Sequence, residues 1–165
     1  MGAGLENPAF AVISDPKFAV AAIQAGEGEE LSMSLGGNLD PSIALPFNMT
    51  ATVMKTSPVR RFIFEGPMMR GVEAVMGPSA VIRIGGVETV VITYGFQAYD
   101  RMFFVHLEII PEEKSVVAVK LLHHFRAAYG PMAREIILVD PVGITSPVHM
   151  AVGLWLLVLT ADDVA

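Results

Sequence analysis

Hydrophobic positions in this chain fall mostly in short runs broken by glycine, proline and aspartate, with little long 3.6-residue periodicity. Phe10 to Ile13 is an apolar run of strand length. Ser14-Asp15-Pro16 follows, an N-cap candidate with proline at or near the first helical position. Phe18, Ala22 and Ile23 share one face of the helix that this predicts, and Gly26 is its natural stop. Leu31 to Leu35 reads as the next strand, ended by Gly36-Gly37-Asn38. Phe47 to Thr56 alternates apolar and polar residues for part of its length, and Arg61 to Glu65 repeats the pattern briefly.

Ser79 to Ile84 and Val87 to Tyr94 flank Gly85-Gly86, a two-residue loop suited to a tight hairpin. Asp100 is placed to cap a helix running through Ile110, with Pro111 as its stop. Ser115 to Leu121 then reads as strand, Phe125 to Ala133 as largely helical, and Glu135 to Asp140 as strand. The fold class predicted is α+β: a mixed sheet with a central antiparallel hairpin and βα units at both ends. Residues 1–165 are expected to form a single domain with an atypical apolar tail over 148–165.

Composition narrows the function. Hydrophobic residues make up 53% and charged residues 17%, which excludes disorder and suggests a face that rests on another domain or subunit. A net charge of −6 and no basic stripe argue against nucleic acid as a partner. With no cysteine there are no disulfides, thiolate zinc sites or cysteine nucleophiles, which fits a cytoplasmic protein. No basic region precedes an apolar core at the N-terminus, so no signal peptide is predicted. The most apolar tract, Val148 to Ala161, falls short of the roughly 18 residues that a bilayer span needs. It is expected to pack into the core or across a homo-oligomer interface, and no membrane partner is expected.

Candidate chemistry concentrates in Lys120-Leu121-Leu122-His123-His124-Phe125-Arg126, where a strand hands over to a helix. Arginine offers a planar fork for carboxylates, lysine a point charge, and histidine a proton donor or acceptor near neutral pH. Lys120, His124 and Arg126 therefore form either a substrate clamp or a structural set, with the cations paired to acids such as Glu135 and His124 capping a helix. Gln97 and Asp100 could orient a substrate, although a helix cap explains Asp100 as well. His106, His123, His124 and His149 lack the spacing of three or four that places two metal ligands on one helix face. The glycine pairs in SLGGN and IRIGGV read as turns, without phosphate-loop spacing. Ser146 lacks a nucleophile-elbow pattern. Met68 and Met69 read as adaptable contact surface.

The ordered motifs resemble the C-terminal domain of the microcystinase C (MlrC) family of metallopeptidase-like hydrolases. The resemblance runs from Asp15-Pro16 and SLGGNLDP through Glu65-Gly66-Pro67-Met68, Gly77-Pro78-Ser79-Ala80-Val81 and Gln97 with Asp100. Lys120 with His124-Phe125-Arg126-Ala127 matches the family's K-S-x-x-H-F-R-A, and Pro131, Ala133, Glu135, Val139-Asp140, Gly143 and Ser146-Pro147 follow in register. Leu121 stands at the signature's serine, Tyr94-Gly95 replaces a polar, arginine-containing run, and the family's R-P-x-x-P-L-D ending is absent.

The resemblance implies metal-assisted hydrolysis of amide bonds in peptide-like substrates, with zinc held by an N-terminal metal-binding domain or its separate chain. It assigns no catalytic residue or metal ligand to this chain. Lys120, His124, Arg126 and Gln97 become the expected substrate-binding or cleft-facing residues. A non-catalytic oligomerisation or regulatory module derived from the same domain is the alternative.

Overall fold

The computed structural model describes residues 6–37, 45–121, 124–139 and 155–160, the last six and Val59 and Arg60 by backbone alone. Strand β1 (Ala9–Ser14) leads into helix α1 (Pro16–Ala25) and strand β2 (Glu30–Leu35). Next come the long β3 (Phe47–Ile63), β4 (Glu73–Ile84) and β5 (Val87–Ile92). A short helix α2 (Met102–Val105), β6 (Val116–Lys120), helix α3 (Phe125–Tyr129), β7 (Ala133–Val139) and β8 (Trp155–Thr160) complete the order. Among the described residues eight strands join one sheet in the order β2-β3-β4-β5-β1-β6-β8-β7. The pairs β1–β5 and β1–β6 are parallel and the remaining pairs antiparallel, so the sheet is mixed, as the pattern predicts.

Local chemistry explains the elements that were legible. The Asp15 side chain accepts from the Phe18 N–H at 3.0 Å, Pro16 opens α1, and Gly26 ends it with a φ of 94°. Ile84 pairs with Val87 across Gly85 and Gly86, both at positive φ, which a two-residue primed turn requires. Alternation then sorts the sheet residues between two faces. Ala80, Ile82 and Val91 pack with Phe18, Ala19 and Ala22 of α1. Val81, Val90 and Ile92 join the opposite core with Phe103 and Phe104 of α2 and Phe125 and Tyr129 of α3. Each valine, isoleucine or phenylalanine among them, when fully buried, contributes ~1.5–3 kcal/mol.

Several sequence expectations need correction. The two segments expected at Phe47–Thr56 and Arg61–Glu65 are one strand, irregular between Val53 and Lys55 and between Ser57 and Arg61. β2 pairs only with Phe47 to Thr52, so Pro58, which lacks an N–H, lies beyond the β2 pairing. The helix expected from Asp100 through Ile110 stops at Val105. Glu108 adopts a positive φ of 66°, and this reversal returns Ile109 to the core beside Leu107. The helix expected over Phe125–Ala133 ends at Tyr129; a 3-10 turn covers Gly130–Met132 and Ala133 already belongs to β7.

Within the apolar tail, Trp155–Thr160 lies between β6 and β7 and pairs with both. The rest of that tail, with His123, Asp140, His149 and the Gly143 to Pro147 motif, lies outside the described residues.

Candidate functional site

Because β5, β1 and β6 run parallel, their carboxyl ends share one edge of the sheet. Ser14 is in register with Ile92, and Ala11 with Val119, one residue before Lys120. β5 and β6 are each followed by a segment carrying candidate residues. Ligands of open α/β sheets meet the protein at such carboxyl ends.

Three of the four expected site residues follow β6. Lys120 is its last residue and is exposed. His124 occupies the N-cap position of α3, and its exposed side chain makes no capping hydrogen bond. Its structural role as a cap is therefore not realised. Arg126, also exposed, lies with its guanidinium carbon 5.1 Å from the centre of the Phe125 ring. That cation–π contact is an alternative to the ion pair with Glu135, and no such Arg126–Glu135 pair occurs among the described residues. The fourth residue, Gln97, is exposed in the turn after β5. The topology brings all four to one edge. His106 is not among them: its ring lies 4.8 Å from that of Phe62, and Nδ1 meets the Met102 carbonyl.

Beneath this edge lies a buried junction centred on Asp100, which is 0% exposed. Its carboxylate accepts from the N–H groups of Gly66 at 2.7 Å, Met102 at 2.9 Å and Glu65 at 3.1 Å. Its carbonyl accepts from the Tyr129 hydroxyl at 2.9 Å. One residue thus ties the turn holding Gln97 to the Glu65–Gly71 loop and to α3. Asp100 is not the cap expected of it: the N-cap of α2 is Arg101, without a side-chain capping bond, and Asp100 holds the Met102 N–H from one residue before it. The other partners were hidden in sequence, their only signal being glycine at 66, where an added Cβ would stand 2.9 Å from the carboxylate. Burial, then the Asp100 charge, raises the Tyr129 hydroxyl well above its ordinary range, so it stays protonated and donates. The same two causes, in the same order, raise Tyr99.

Trp155 is a further neighbour that sequence order concealed. Its backbone stands in register with Lys120 on one side and Val139 on the other. Leu121, at the position of the resembled family's serine, is buried at 2% exposure and packs in the core. No three His, Cys, Asp or Glu side chains converge as a metal site among the described residues. The donor set described here therefore does not fit zinc, and no chemical step is assigned through a metal on this chain.

The family model for the MlrC C-terminus matches residues 1–153. The chain belongs to this family. Microcystinase C from Sphingomonas sp. is 26% identical over 127 residues, which cover 77% of this chain and 24% of that protein. A candidate metallopeptidase from Mesorhizobium sp. BNC1, known from its crystal structure, superposes with a TM-score of 0.76 at 26% identity. The match covers 86% of this chain and 28% of the other. The chain thus spans about a quarter of the length of these relatives. Its family relatives thus include a microcystinase and a candidate metallopeptidase. No helix among its described residues is long and apolar enough to cross a membrane.

Proposed function

We propose that residues 1–165 form a single domain that is the substrate-facing part of a zinc-dependent, metallopeptidase-like amide hydrolase. In this reading the metal is held by an N-terminal metal-binding domain or a separate chain. The supporting observation is the convergence of Lys120, His124, Arg126 and Gln97 on the carboxyl edge of β5, β1 and β6, over the junction made by Asp100. Lys120 and Arg126 supply positive charge for a carboxylate of a peptide-like substrate. Gln97 offers an amide for its backbone, and His124 holds or passes a proton at an imidazole nitrogen. These are binding and orienting roles; bond cleavage belongs to the metal-bearing partner. Cytoplasmic location and homo-oligomerisation are part of the same proposal.

The test is to co-express the chain with the polypeptide encoded immediately upstream and to measure zinc-dependent hydrolysis of peptides with a free carboxylate. Arg126→Gln and Lys120→Met should raise KM more than they lower kcat. Unchanged kinetics in both would remove these residues from the site. The chain alone should show neither appreciable hydrolysis nor tightly held zinc; stoichiometric zinc surviving mild chelation would overturn that part. Leu121 in place of the signature serine supports the second reading, a non-catalytic module. An upstream frame without a carboxylate–histidine metal site favours that reading.

A further inference from the structure

We infer that the bare outer face of the β3–β4 ribbon is the surface on which the metal-bearing part of the hydrolase docks. The inference rests on the half-enzyme reading above and adds the location of the contact. On one side of the ribbon Phe62, Phe64, Ala74 and Met76 enter the core with α2. Local alternation puts Ile63 and Val75 on the other side; the irregularity between Ser57 and Arg61 shifts the alternation, so this is the side that α1 covers farther along at Ala80 and Ile82. The ribbon extends past that contact, leaving Ile63 49% and Val75 37% exposed.

Tyr94, 54% exposed, continues this surface, because its ring lies against Gly77, where an added Cβ would come within 3.0 Å of it. Arg61, opposite Val75, and Glu73, opposite Ile63, form an exposed ion pair that adds a polar border. An apolar centre with a charged rim is the composition of a protein–protein contact.

Two observations identify the occupant. The matched relatives carry about three-quarters of their length outside the region shared with this chain, and the family model describes that region as a C-terminus. The preceding part is therefore the large surface that family members hold beside this fold. The patch also adjoins the candidate site, since Tyr94 lies in the same turn as Gln97. A partner seated on it reaches the carboxyl edge where the substrate residues stand.

The neighbouring loop is held ready for this contact. The Asp100 carboxylate fixes the Glu65 and Gly66 amides, and the Tyr99 hydroxyl donates to the Met69 sulfur at 3.1 Å. Met69 and Val72 nevertheless remain 48% and 45% exposed. A loop ordered before binding loses less freedom when it docks.

The experiment uses the full chain and the polypeptide encoded immediately upstream, with Kd measured by calorimetry. Ile63→Asp and Val75→Asp should each weaken the complex at least tenfold while the free chain still unfolds in one cooperative transition above the temperature of the binding measurement. Leu138→Asp, on the exposed part of β7 at the far edge of the sheet, should leave Kd within twofold. A complex insensitive to Ile63→Asp and Val75→Asp overturns the docking face while preserving the half-enzyme reading. No complex with that polypeptide overturns both. If sedimentation shows a dimer of this chain that Ile63→Asp dissociates, the face belongs to a second copy and the inference also fails.

Discussion

The two ends of the parallel strands β5, β1 and β6 use similar side chains in different ways. At the amino ends, Lys114 is 8% exposed and its ammonium donates to Glu88 and to Asn7, each at 2.7 Å. Arg83 approaches the other Glu88 oxygen at 2.8 Å. Asn7 precedes β1, Glu88 is on β5 and Lys114 precedes β6, so this cluster clasps three strand starts together. At the carboxyl ends, Lys120, His124, Arg126 and Gln97 are all exposed. Charge at one end holds the fold; charge at the other is displayed above a buried frame. The same residue types thus indicate structure or recognition according to burial, and the distinction predicts how each end responds to substitution.

The largest expected effect comes from the frame under the carboxyl end. Asp100→Ala leaves the amides of Glu65, Gly66 and Met102 without their shared acceptor. Hydrogen bonds to a charged group are worth about 1.5–3 kcal/mol each, and buried unpaired donors add a desolvation cost. Urea denaturation should show a loss of about 3–5 kcal/mol. A loss below about 1 kcal/mol would mean that this end lacks the buried support described above.

Lys114→Met tests the amino end. It keeps an unbranched side chain but leaves Glu88 with Arg83 alone, and the expected loss is about 2 kcal/mol. Stability equal to the parent would show that the clasp contributes nothing and that the contrast between the ends is only one of burial.

The contrast between near and distant partners also governs what could be read from residue order. The Gly85-Gly86 hairpin and the Asp15 cap are decided within a few residues, and both appear as expected. The fold class follows because the glycine turn and the strand runs that flank it are local signals. The length of α2 did not follow, since a left-handed Glu108 redirects the chain into a core assembled from distant strands. Nor did the place of β8, whose two partners, β6 and β7, both precede it in the chain. For the site, Lys120 to Arg126 stood out because their charges cluster at a strand end. Asp100 was legible only as a cap candidate, because its other partners, Glu65, Gly66 and Tyr129, are about thirty residues away in sequence.

A pH experiment sharpens the comparison with a smaller effect. Burial pushes the Glu88 carboxyl up, but hydrogen bonds and charge from Lys114 and Arg83 outweigh it and hold the group below its ordinary 4.5. A carboxyl with a depressed folded value contributes stability above its unfolded value. That contribution is lost as pH falls from about 4.5 through the lower folded value. The parent chain should lose stability over this window, and Lys114→Met should lose less across it. Parallel acid limbs would show that the clasp is not the linked group.

The smallest stability effects belong to the displayed residues. Lys120→Met, His124→Gln and Gln97→Glu alter exposed side chains, and each should move the unfolding free energy by no more than about 0.5 kcal/mol. Arg126→Gln loses the contact with the Phe125 ring and should cost up to about 1 kcal/mol, the range of an exposed cation–π pair. Urea midpoints at constant slope measure all four. This near-neutrality matters because it lets binding defects in the same variants be read without a folding explanation. If His124→Gln or Lys120→Met proves as costly as Lys114→Met, that side chain belongs to the fold. The carboxyl end would then be a second clasp, and the assignment of its charges to a substrate would lose its physical basis.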